Sequence, residues 1–176
     1  MITKERLAEI MTIIEGYKTE VYRCSMGHRT IAFGFNMDKP GARGDWGRLG
    51  IVEDFDEVLG GASICYETAE VLLMDFWDNY CIPAVKRRCE ALGEDYGALP
   101  EWHQFILADI VYNIGNINGW TAVIRHKEPL AVLAEARRKP NKIMDSRVCK
   151  IGKFFDLIDT IQDCIDIGLE YTKYTK

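Results

Sequence analysis

The sequence predicts a mainly helical α+β protein, with a small β-hairpin lobe joined by a connecting helix to a larger all-helical lobe. Three observations predict it. Apolar residues recur at helical spacing through most of the chain. Residues 17–35 are instead dense in Val, Tyr, Thr, Ile and Phe around a glycine-bearing turn. The 176 residues, 48% apolar and 28% charged, suffice for one core or for two small lobes sharing a helix. We therefore expect a single domain over 1–176, with a hairpin lobe at about 12–65 and a helical lobe from 1–11 plus 66–176.

Each element has its local reason. Thr3 can cap a first helix, with Glu5 in its opening turn, Leu7, Ile10, Met11 and Ile14 on its apolar face and Gly16 as a stop. Residues 17–24 and 28–35 read as two strands joined at Ser25-Met26-Gly27. From Asn36 to Gly61 the pattern is irregular and glycine-rich, but Trp46, Phe55 and Val58 should pack it onto the hairpin. A long helix should run from near Ser63 to Leu92, kinked or divided at Pro83. Helical patterns follow at 101–114, 120–139 and 145–171.

Composition narrows the function. No run approaches the roughly 18 uncharged apolar residues of a transmembrane helix, so stable membrane insertion is not expected. Lys4, Glu5, Arg6 and Glu9 interrupt the stretch where a signal peptide would be apolar. Six cysteines without a C-x-x-C pair, and no secretory signal, point to reduced thiols. The net charge of −5 disfavours a nucleic-acid binder. Charge is uneven, however: 125–153 carries nine Lys/Arg against Glu128, Glu135 and Asp145, either a positive wall for an anionic polymer or a solvated helix face. A monomer without cofactor or metal is expected; Cys24 and His28 alone lack two further metal ligands at a recognised spacing.

The informative stretch is Glu15-Gly16-Tyr17, then Val21-Tyr22-Arg23-Cys24, then Gly27-His28-Arg29-Thr30-Ile31-Ala32-Phe33-Gly34. Eight residues separate Glu15 from Cys24 and five separate Cys24 from Thr30. Singly, a helix-terminal Glu reads as a surface charge, a strand Cys as a structural residue and a strand Thr as β-propensity. Jointly, on a helix end followed by a hairpin, the spacing resembles that of the phage-type lysozymes of glycoside hydrolase family 24, which carry Glu, then Asp or Cys, then Thr. Ile64 to Leu72 is similar to the start of that family's interlobe helix. Asp109 to Gly115 with Gly119-Trp120 resembles its central helix and following turn, and Ser146-Arg147-Val148 the segment whose arginine reaches towards the catalytic glutamate. Ala32 departs from the pattern, standing where the family often has glycine.

The resemblance implies a lysozyme-like two-lobe fold and an endolysin that cleaves the β-1,4 bond between N-acetylmuramic acid and N-acetylglucosamine in peptidoglycan glycan strands. Glu15 would be the general acid, Cys24 the base or nucleophile in place of a second carboxylate, and Thr30 would hold the attacking water. A helix C-terminus disfavours a second negative charge, which suits a proton donor at Glu15. Arg147, Asn113, Tyr112 and Gly34 would bind or orient; read singly, Arg147 is a solvated helix charge, Tyr112 a core residue, and Asn113 either a buried structural amide or a glycan donor. Across the turn, Cys24 and His28 should face each other, and a cationic His28 would hold the thiolate. The resemblance further implies a phage protein kept in the host bacterial cytoplasm until release to the wall, or carried in the virion. Rival readings are a Cys24–His28 peptidase or amidase of the wall, a lytic transglycosylase, and a non-catalytic wall-binding or virion component.

Overall fold

Thr3 starts the first helix as expected. Its Oγ1 accepts the Arg6 N–H at 3.3 Å, and α1 runs Lys4–Ile14 with Leu7, Ile10 and Met11 fully buried. The structure, a computed structural model, describes residues 2–137 and 142–159. It is mainly helical with one small antiparallel sheet, the α+β class that the sequence predicts. The chain divides into two compact units, Thr3–Phe76 and a second that begins at Trp77. The expected lobes parted at 65/66 and put 1–11 with the helices; here the whole of α1 belongs with the hairpin and the division falls at 76/77.

In the first unit the sheet order is β1 (Lys18–Arg23), β2 (Arg29–Ala32), β3 (Phe35–Asn36). The second strand was expected to run unbroken over 28–35. It is cut by a tight turn in which the Gly34 N–H donates to the Ile31 carbonyl at 3.1 Å. That turn holds Ala32 at φ 57 and Gly34 at φ 123, so glycine serves at one of its two positive-φ positions and alanine at the other. Tyr17, Phe33 and Tyr66 pack as a cluster, with centroids 5.2–6.2 Å apart, and fix the base of the hairpin to the start of α4 (Tyr66–Phe76). The irregular segment contains two short helices, α2 (Ala42–Arg48) and α3 (Phe55–Leu59). Trp46 packs edge-on against Phe55 and donates Nε1–H to the Glu53 carbonyl at 2.7 Å, which is how a glycine-rich stretch is kept in place.

The second unit opens on a π-helical turn, Trp77–Cys81, followed by α5 (Ile82–Ala91). Pro83 lies in the first turn of α5, where its missing N–H is tolerated, and the extra residue per turn just before it accommodates its ring. The helix α6 (Glu101–Ile114) is buried along most of its length, with Trp77 stacked on Phe105 at 5.3 Å. His103, fully buried, uses Nε2 at 2.7 Å from the Val123 carbonyl. A carbonyl only accepts, so Nε2 carries the proton, and burial lowers the imidazole's pKa.

Two expected helices change here. The pattern at 120–139 resolves into α7 (Thr121–Arg125) and α8 (Pro129–Arg137), because His126 turns extended and Pro129 bars the helical conformation for the residue before it. The helix α9 (Lys142–Phe154) ends well short of 171. Asp156 at φ 53 reverses the chain, Leu157 N–H returns to the Gly152 carbonyl at 2.8 Å, and Ile158 folds over Gly152, where any side chain would collide with it. Residues 160–171 of that expectation, and Cys164, lie outside the described residues. Among the described residues no helix is long and apolar enough to cross a membrane, and Cys24, Cys65, Cys81 and Cys89 are free thiols.

Candidate active site

The hairpin turn is built around Cys24. The Gly27 N–H donates to the Cys24 carbonyl at 2.8 Å, with Gly27 at φ 84, and the Cys24 N–H donates to the His28 carbonyl at 3.0 Å. Arg23 ties the outside of the turn by donating Nη1–H to the Gly27 carbonyl at 2.8 Å. This curl turns successive N–H groups towards the Cys24 sulfur. The Met26 N–H is the main force holding the thiol below its ordinary pKa; partial burial opposes it, and the Thr30 hydroxyl and the N–H groups of His28 and Gly27 add to it. Thr30 is 4% exposed and donates Oγ1–H to the His28 carbonyl at 3.1 Å. A hydroxyl has one proton, so Thr30 serves that carbonyl beside a neutral thiol and the sulfur beside a thiolate.

Cys24 and His28 therefore face each other along the main chain, as the turn length predicts. The partner set of the sulfur is different from the expected one. Backbone donors and Thr30 stabilise the thiolate, and His28 contributes through its own N–H. The His28 side chain is exposed, and its charge acts on Asp38, whose carboxyl is lowered chiefly by its hydrogen bonds from Arg29.

Glu15 is the C-cap of α1, with its N–H shared between the Met11 and Thr12 carbonyls, and the expected Gly16 follows at φ 75. Its side chain is exposed. Tyr22 links it to the thiol. In the sheet Tyr22 pairs with Thr30, and strand alternation puts Tyr22 and Cys24 on one face. Burial first, then the Glu15 carboxylate and the Cys24 sulfur, push the Tyr22 phenol up, so this one ring stands within electrostatic reach of both groups. Sequence reasoning assigned Tyr22 no role, although its i, i+2 spacing from Cys24 was the available signal.

Glu15, Cys24, His28, Thr30 and Gly34 all belong to the first unit; Tyr112, Asn113 and Arg147 belong to the second. Gly34 closes the turn after β2. Arg147 is 7% exposed and forms a two-point ion pair with Asp109: Nε donates to Oδ2 at 2.8 Å and Nη2 to Oδ1. Asn113 donates Nδ2–H to the Asp109 carbonyl at 2.7 Å, one helical turn back, and Tyr112 packs at 6.2 Å from Trp77. A second carboxylate missed by the sequence reading is Glu53, which accepts the Cys65 N–H at 3.0 Å and the Thr68 hydroxyl at 2.8 Å. Burial pushes this carboxyl up, but the Cys65 N–H and its other donors outweigh it and lower the pKa. It caps the entry to α4. Among the described residues no group of three or more His, Cys, Asp or Glu is arranged to hold a metal ion. No protein family, curated protein or solved structure matches the chain.

Proposed function

We propose that the chain is a lysozyme-type glycoside hydrolase that cleaves the β-1,4 bond between N-acetylmuramic acid and N-acetylglucosamine in peptidoglycan. The observation that carries this reading is the donor-lined Cys24 thiol beside Thr30, with Tyr22 in reach of both that sulfur and the Glu15 carboxylate. Hydrolysis of a glycosidic bond needs an acid on the leaving oxygen and a second group to attack the sugar or activate water. Glu15 donates the proton. Cys24, as the thiolate that its donors favour, deprotonates the water or attacks the anomeric carbon directly. Thr30 orients the sulfur or the water through the same hydroxyl, and Tyr22 offers its phenolic proton as a donor between the two groups. The mainly helical chain with one small antiparallel sheet is consistent with a lysozyme-like two-lobe fold, which is part of the same proposal.

The proposal extends to the biology that such an enzyme implies: a phage lysin acting on the wall of an infected bacterium. Product analysis on purified peptidoglycan tests it. The expected products carry new reducing sugar ends. New free amines would instead make the chain a peptidase or amidase using Cys24, 1,6-anhydromuropeptides would make it a lytic transglycosylase, and no product at all would leave only a binding role.

A further inference from the structure

Within the second unit, Tyr80 on the π-helical turn, α5 and the loop 115–118 enclose an open groove of about 300 Å³. This lies at the lower end of ligand-pocket volumes, roughly 300–1,000 Å³, and suits a ligand of about one ring. Arg87 and Arg88 line it together with Asn116 and Asn118, whose loop is tied by the Asn118 N–H donating to Asn116 Oδ1 at 3.3 Å, and no acidic residue does. The loop wall is held in shape: Tyr80 donates its hydroxyl to the Gly115 carbonyl at 2.9 Å, and Arg88 Nη2 donates to the Asn118 carbonyl at 3.0 Å and the Thr121 hydroxyl at 2.9 Å. These acceptors of Arg88 are neutral, and among the described residues neither arginine pairs with a carboxylate. Arg88 Nε is buried and has no acceptor among the described residues. A buried charged donor without an acceptor is costly, so this guanidinium keeps donor capacity that its neutral partners do not use.

We propose that this groove binds an acidic monosaccharide unit, with the two guanidinium groups on its carboxylate or phosphate oxygens and the asparagine carboxamides on its hydroxyls. Guanidinium forks match the paired oxygens of either oxyanion, and a carboxamide offers both a donor and an acceptor to a sugar hydroxyl. The site is independent of the chemistry at Glu15 and Cys24, and its test needs no lytic activity. The full chain, isotope-labelled, is titrated by NMR with N-acetylmuramic acid, N-acetylglucosamine 6-phosphate and neutral N-acetylglucosamine. At least one acidic sugar should saturably shift the amides of Gly115, Asn116 and Asn118, while the neutral sugar does not. A response to the first sugar alone assigns a carboxylate ligand, and a response to the second alone assigns a phosphate. Arg87, exposed and outside the loop scaffold, carries the variant test: Arg87→Gln should weaken binding by at least about tenfold, with added salt acting in the same direction. Silence from both acidic sugars, an equal response to the neutral one, or unchanged affinity in Arg87→Gln would overturn the proposal.

Discussion

Replacing Arg147 by methionine should destabilise the protein far more than the loss of a surface arginine. The guanidinium and its Asp109 partner are both nearly inaccessible, with side-chain exposures of 8% and 6%, and they meet through two parallel hydrogen bonds. Removing one partner leaves a carboxylate in a desolvated site, at a cost of about 3–5 kcal/mol. Against a total stability of about 5–15 kcal/mol, that brings the chain close to its unfolding threshold. Replacing both partners with apolar residues removes both charges together, so Asp109→Leu combined with Arg147→Met should recover most of the loss. Urea denaturation of the wild type, the two single variants and the double variant gives the coupling directly. A loss below about 1 kcal/mol in Arg147→Met, or a double variant no better than the single ones, would refute the reasoning. The experiment also bears on function, because Arg147 was expected to orient the catalytic acid. Reduced lysis in Arg147→Met must be corrected for unfolding before it counts as a catalytic effect.

The remaining predictions concern the hairpin. Alkylation of Cys24 by iodoacetamide should follow a titration lying below that of a free thiol, because its donors favour the thiolate; Thr30→Val removes one donor and should move the midpoint to higher pH. A lytic activity that needs the thiolate rises with pH through the same titration, so Thr30→Val should displace its acid limb in the alkaline direction. An unmoved limb in a folded variant would remove Thr30 from the stabilisation of the sulfur. If Cys24 stands in for a carboxylate, Cys24→Asp should retain lysis that Cys24→Ala loses, and activity in both would exclude the residue from the reaction. Ala32→Val should cost about 2 kcal/mol or more, since a β-branched side chain fits poorly at φ 57 in a site 3% exposed. Ala32→Gly trades relief of that backbone strain against a buried methyl and should stay within about 1 kcal/mol of the wild type in the same denaturation assay.

Features encoded by neighbouring residues were legible in the sequence. The Thr3 cap, the Gly16 stop, the turn at Ser25-Met26-Gly27 and the helix at 101–114 each follow from a few adjacent side chains. The third strand was not legible, because its turn places alanine rather than glycine or asparagine in a left-handed conformation at position 32. The break before Pro129 carried a local signal, but apolar periodicity on both sides hid it. The Asp109–Arg147 pair joins residues 38 positions apart, a distance over which a single sequence marks no pairing. At the candidate site, the spacing pointed to Glu15, Cys24 and Thr30. The sulfur's partners escaped notice because the leading donor is a main-chain N–H, which any residue at position 26 except proline would supply.

The most direct test of the account is the rate at which Glu15→Gln, shown by denaturation to be as stable as the wild type, releases reducing ends from purified peptidoglycan. The substitution keeps the shape of the side chain and removes the proton that the leaving oxygen needs. Loss of a positioned general acid lowers rates by about 10²–10⁴-fold, and the account predicts a fall of at least that order. Reducing ends released at the wild-type rate by a folded Glu15→Gln protein would contradict it.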